Sequence, residues 1–255
     1  MSIAIRGLKV RYGQHTVLHE IALDASAGRV LGIVGPNGSG KSTLVKAVAG
    51  LLPAQGQILF DGAIARPQGI GYMPQDLQAP TALTVLEVVL LGRLGQLGLK
   101  VKPDDLEAVR LVLQMMDIES LAGQYIGELS GGQRQMVFLA QALVSQPTVL
   151  LLDEPISALD VRHQLEVLQV VRTMTSHRQL TTLVVLHDLN AAARFTDEVA
   201  ILCGGRILDH GPSPNVLTVQ NVAAAFGIEA EALRCKDGTG VLVSMRPLRL
   251  ASSKQ

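Results

Sequence analysis

At 255 residues, with 22 Lys+Arg balanced by 22 Asp+Glu, the chain has zero formal net charge and offers nucleic acid no general electrostatic hold. Hydrophobic residues make up 48% and the mean hydropathy is +0.32. No apolar run reaches the ~18 residues of a membrane span; the longest candidate, Leu83 to Leu91, carries Thr84 and Glu87. Met1-Ser2-Ile3-Ala4-Ile5-Arg6 lacks the apolar region of a signal peptide. Cys203 and Cys235 show no metal-ligand spacing, which predicts reduced thiols in a cytosolic chain. The apolar surplus predicts a large core and further surface buried against partners.

In chain order, Ile3-Ala4-Ile5, Lys9 to Tyr12, Thr16-Val17-Leu18 and Ile21-Ala22-Leu23 read as four short strands. Ala27-Gly28 turns the chain into the apolar strand Val30 to Val34. A helix from Lys41 stops near Gly50, with Pro53 beyond. Gln57 to Phe60 and Ile70 to Met73 are further short strands. Helical spacing then governs Thr84 to Leu91, Pro103 to Met116 and Arg134 to Leu143. Thr148 to Leu152 is a continuous apolar strand suited to a parallel sheet covered on both faces. Helix Val161 to Ser176, strand Thr181 to Leu186, helix Leu189 to Phe195 and strand Glu198 to Leu202 follow. This alternation predicts an α/β fold with a mainly parallel sheet. Arg234 to Val243 reads as a small hairpin. No internal repeat is present.

Gly35-Pro36-Asn37-Gly38-Ser39-Gly40-Lys41-Ser42 fits G-x-x-x-x-G-K-[ST], between a strand and a helix that opens with Thr43. Glycine lets backbone N–H groups close around phosphate oxygens at a helix N-terminus. Lys41 adds a point charge for the β- and γ-phosphates, and the Ser42 hydroxyl is placed for Mg²⁺. Leu150-Leu151-Leu152-Asp153-Glu154 ends a buried strand in two carboxylates, at the edge where parallel sheets bind ligands. Asp153 suits Mg²⁺ and Glu154 suits the attacking water of nucleotide hydrolysis. Leu129-Ser130-Gly131-Gly132-Gln133 opens a helix with an N-cap and glycines, a second anion site without a lysine.

In this order the motifs resemble those of the ATP-binding subunits of ABC transporters, over roughly residues 1 to 225. The resemblance implies a P-loop ATPase core formed by 1–76 and 147–227, with an N-terminal antiparallel β subdomain. It implies an inserted helical subdomain at 77–146 and an extension at 228–255 of open role. Tyr12 matches the aromatic that stacks on adenine. Gln75, in Tyr72-Met73-Pro74-Gln75, matches the switch glutamine that contacts Mg²⁺ and the attacking water. Ser157-Ala158-Leu159-Asp160 matches the loop that contacts an opposite subunit, and His187 the histidine that reaches the γ-phosphate. Ile156 stands where a Thr is common, and Gln141 where an Arg is common. Neither is a primary phosphate contact.

The resemblance further implies that Ser130, Gly131, Gly132 and Gln133 close on ATP held by the partner's phosphate loop. Two copies would then trap two ATP molecules across an isologous interface. Polytopic permease subunits and, indirectly, a substrate-binding protein complete the expected assembly, at the cytoplasmic face of the inner membrane. Val88-Val89-Leu90-Leu91-Gly92-Arg93 and His187-Asp188-Leu189-Asn190 are similar to the ATPases serving iron-siderophore, haem and cobalamin uptake. Zinc and manganese importers share part of that pattern. Rival readings are a soluble ABC ATPase of repair, translation or iron–sulfur assembly, and a non-hydrolysing nucleotide binder. Against them stand the single ATPase unit, the lack of sustained heptads in 77–146, and the presence of Glu154 and His187.

Overall fold

The computed structural model describes residues 1–67, 69–76, 82–95, 100–157, 159–236, 238 and 240–248. Ala158 of the Ser157–Asp160 loop, residues 77–81 and 96–99 of the expected insert, and 237, 239 and 249–255 of the expected extension lie outside the described residues. The elements, in order, are β1 (Ile3–Tyr12), β2 (His15–Ala25), β3 (Arg29–Val34), α1 (Lys41–Ala49), β4 (Gln55–Phe60), β5 (Ile70–Met73), α2 (Val85–Leu91) and α3 (Pro103–Met115). They continue with α4 (Gly131–Leu143), β6 (Val149–Asp153), α5 (Val161–Arg178), β7 (Thr181–Val185), α6 (Leu189–Phe195), β8 (Glu198–Cys203), β9 (Arg206–Pro212), α7 (Ser213–Val216), α8 (Val219–Phe226), β10 (Ile228–Arg234) and β11 (Gly240–Pro247). The fold is α/β. It forms two compact units, one of Met1–Ile3, Ala25–Arg29 and Leu59–Val184, the other of Ala4–Asp24, Val30–Ile58 and Val185–Gln255.

In the first unit β5 pairs parallel with β6, Ile70 to Met73 against Val149 to Leu152, and β7 lies on the other side of β6. All five β6 residues are buried, as a parallel strand covered on both faces requires. The helices α2, α3 and α4 pack through Val88, Val89, Val109, Leu113, Val137, Leu139 and Leu143. Thr84 caps α2 and shares a capping box with Glu87. Asp105 accepts from Lys102 N at 3.0 Å and from Arg93 Nε at 3.0 Å. The Lys102 amide chiefly, then the Arg93 guanidinium, holds this carboxyl below the usual range. No helix among the described residues is long and apolar enough to cross a membrane.

In the second unit β3 pairs parallel with β8, Leu31 to Val34 against Glu198 to Ile201, and β9 pairs antiparallel with β8. A separate three-stranded sheet has the order β2-β1-β4. The two-residue turn Gly13–Gln14 makes β1 and β2 antiparallel.

Here the four short strands expected at the N-terminus are corrected to two long ones. In β1 the buried residues are Ile3 and Ile5, then Leu8 and Val10; in β2 they are Leu18, then Ile21, Leu23 and Ala25. The parity of the inward face flips at Gly7 (φ 59°) and at Glu20 (φ 55°), where a left-handed residue adds one step to the strand. Alternation breaks there while the strand continues. Two further boundaries move. Helix α4 begins at Gly131 rather than Arg134, because Ser130 caps it and the glycines form its first turn. The tail hairpin is longer than expected, with β10 starting at Ile228 and β11 running to Pro247, beyond both ends of the predicted segment.

Candidate active site

The phosphate-loop residues lie in the second unit. Strand β3 delivers Val34 into the loop, and α1 carries Lys41, Ser42 and Thr43 away from it. Gly35 has φ 151°, and a Cβ there would sit 2.0 Å from Leu202 O, so the loop can pass β8 only without a side chain. Gly40 caps α1 and supplies no side-chain hydrogen bond, and a helix N-terminus of this kind suits an anion. Lys41 is buried, and its Nζ donates to Gly35 O at 2.9 Å and Pro36 O at 3.0 Å. The ammonium is thereby held at the loop rather than swinging in solvent. Ser39 is also buried, and its Oγ has no hydrogen-bond partner among the described residues. A buried hydroxyl of this kind suits a ligand rich in acceptors.

Two more predicted residues belong to the same unit. Tyr12 ends β1 and is half-exposed, with its ring available to a flat partner. His187 is exposed, one residue beyond Leu186, whose N–H donates to Ile33 O at 3.1 Å. Asp188 follows and caps α6 through Asn190 N at 2.7 Å and Ala191 N at 3.1 Å.

The first unit holds the remaining predicted residues. Asp153 ends β6 fully buried. Glu154 follows with φ 56°, a left-handed turn uncommon for a residue with a Cβ. The structure brings Gln75 onto it: Gln75 Nε2 donates to Glu154 Oε2 at 2.8 Å, although 79 residues separate them. Tyr72, two residues after the start of β5, is a member of this group for which the sequence offered no role. Its hydroxyl is buried without a hydrogen-bond partner among the described residues. Burial, with a smaller contribution from Asp153, pushes that phenol up to about 12. It therefore stays neutral beside the carboxylate.

Ser130, Gly131, Gly132 and Gln133 form a different cluster of the same unit, at the start of α4. Ser130 Oγ accepts from Gln133 N at 3.3 Å, and Gln133 Oε1 accepts from Ser130 N at 2.9 Å. Ser130 and Gly131 are exposed. Gly132 is buried against His163: a Cβ would lie 2.3 Å from that imidazole. His163 Nδ1 in turn meets Asp160 Oδ2 at 2.8 Å. Asp160 also accepts from His163 N, and these two bonds hold its carboxyl below the usual range, the backbone one first. Gln164 Nε2 donates to Leu159 O at 3.0 Å, and Gln135 Nε2 to Pro155 O. Thus Gln135, His163 and Gln164 stitch the loop after Glu154 to α4 and α5. Their spacing in sequence carries no signal for this.

Residues 18–157 match the model of the family described as ABC transporter. The chain is 42% identical to the hemin import ATP-binding protein of Pseudomonas fluorescens, across 89% of this chain and 93% of that protein. It is 35% identical to the cobalamin import ATP-binding protein of Halobacterium salinarum, across 97% of this chain and 64% of that protein. Among solved structures, a chain of an inward-facing metal-chelate type ABC transporter aligns with a TM-score of 0.86 at 28% identity, covering 97% of this chain and 98% of its own.

Proposed function

This chain belongs to the ABC transporter family, and from that premise we propose that it powers uptake of a metal chelate, of iron-siderophore, haem or cobalamin type, through separate membrane subunits. It is an ATPase of that family and binds ATP. The likeness to a metal-chelate type ABC transporter along nearly the whole chain supports the cargo class. The observation that carries the hydrolytic role is the Gln75–Glu154 hydrogen bond.

Each group then has a task. Glu154 polarises the attacking water, and Gln75 orients both. Gly35 to Thr43 wrap the phosphates, with Lys41 supplying the fixed cation. Tyr12 stacks on adenine, and His187 reaches the γ-phosphate. The Ser42 hydroxyl, the Gln75 amide and the Asp153 carboxylate are hard oxygen donors of the kind Mg²⁺ prefers. Bound with the nucleotide, Mg²⁺ offsets phosphate charge. Ser130 to Gln133 meet the nucleotide of a second copy of the chain, the N–H groups of Gly131 and Gly132 being those outside the capping box. The helices α2, α3 and α4 convey the change to permease subunits at the cytoplasmic face of the inner membrane, to which a substrate-binding protein delivers cargo.

The test is uptake by a strain lacking this gene. Labelled ferric siderophore, haem, cobalamin, and free manganese and zinc are supplied separately. Loss of one chelate, with free-ion uptake intact, is the expected result, and a polytopic membrane subunit co-purifies in detergent. Normal uptake of every chelate overturns the cargo assignment.

A further inference from the structure

Helix α6 is seven residues long, too short to hold its own first turn in water. That turn follows His187 directly, so whatever fixes it also fixes the histidine. Asp188 caps it from within. From outside, the amide of Asn190 meets one residue of β11 twice. Leu242 N donates to Asn190 Oδ1 at 2.8 Å, and Asn190 Nδ2 donates to Leu242 O at 3.2 Å. A side chain thus fills both backbone groups of Leu242, as an adjacent strand would. Leu242 is itself firmly placed: it is buried, pairs with Ala232 of β10, and β10 packs on α8. On the other side of His187, Leu186 is buried and bonded to Ile33 O. His187 is the single exposed residue between the Leu186 anchor and the capped turn.

We propose that the C-terminal hairpin β10–β11 positions His187 for hydrolysis, with Asn190 as the connecting residue. Asn190 touches no nucleotide in this account; it acts through the start of α6. The inference rests on the proposed role of His187.

Two variants of the full chain test it. Asn190→Ala removes both bonds. Asn190→Asp keeps an acceptor for Leu242 N, but sets a carboxylate oxygen against Leu242 O. Its negative charge at the first turn of α6 favours the helix, so helix loss does not account for an effect there. In both variants kcat is expected to fall about tenfold (~1.4 kcal/mol), with ATP affinity unchanged. The imidazole C–H resonances of His187, assigned by their absence in His187→Ala, are expected to shift. Wild-type kcat in Asn190→Asp overturns the proposal, and so do unmoved His187 resonances. His187→Ala serves as the separate control. Wild-type turnover there removes the histidine's own role, whereas loss of turnover there with a fully active Asn190→Asp removes only the hairpin's.

Discussion

Two loops of this molecule each present a helix N-terminus suited to phosphate, and they are built on opposite plans. The Gly35–Ser42 loop leaves the first turn of α1 uncapped by side chains and stores a buried lysine against its own carbonyls. The Ser130–Gln133 loop uses its polar side chains on itself, through a reciprocal capping box, and its exposed residues include no cation. The first loop carries its own charge compensation. The second satisfies part of its own N–H set and suits an anion that arrives already neutralised by other groups. Under the proposed function, this contrast assigns affinity for free nucleotide to the first loop, and recognition of nucleotide held elsewhere to the second.

The largest expected effect isolates the second loop. Glu154→Gln retains an acceptor for Gln75 Nε2 but removes the basic carboxylate. Turnover falls by roughly 10²–10⁴-fold, the worth of a positioned base, while ATP binding survives. With ATP no longer consumed, the variant elutes as a dimer when ATP is present and as a monomer when it is absent. A variant that turns over like wild type removes Glu154 from the base role, and one that stays monomeric in ATP breaks the division between the loops.

Lys41→Ala strikes the first loop alone. Charge-assisted hydrogen bonds contribute about 1.5–3 kcal/mol each, so losing the fixed cation weakens ATP binding by roughly 100-fold (~2.7 kcal/mol). Calorimetric titration of the isolated chain measures this directly. Unchanged affinity contradicts the assignment of nucleotide binding to this loop.

How much of this was legible beforehand follows from how local each feature is. The phosphate loop and β6 were readable because each is a short contiguous pattern. Glycine is demanded at Gly35 by the nearby Leu202 carbonyl, and five buried residues in β6 need five apolar letters. The strands β1 and β2 were fragmented because one left-handed residue in each reverses the inward face. Helix α8 passed unread although Thr218 caps it and Gly227 ends it with φ 65°; those two signals sufficed to find it. Strand β9 contains Asp209, His210 and Gly211 and has no apolar alternation to betray it. The Gln75–Glu154 bond spans 79 residues, so only the family resemblance placed the two in one reaction. The His163 contact with Gly132 had no sequence signature at all.

That last contact yields the smallest and most discriminating test, Gly132→Ala. The new methyl would lie 2.3 Å from the His163 ring, so one of them moves. The ring is the softer partner, since its side chain is 36% exposed and can swing outward. Fold stability changes by no more than about 1 kcal/mol, because alanine's better helix propensity offsets part of the lost packing. The swing breaks the His163–Asp160 bond and loosens the loop that follows Glu154. Turnover of the full chain is expected to fall about threefold to tenfold, and ATP affinity of the isolated chain to stay within twofold of wild type. An equal loss of both would mean that the two loops are not separable, since a change confined to the second would then have reached the first.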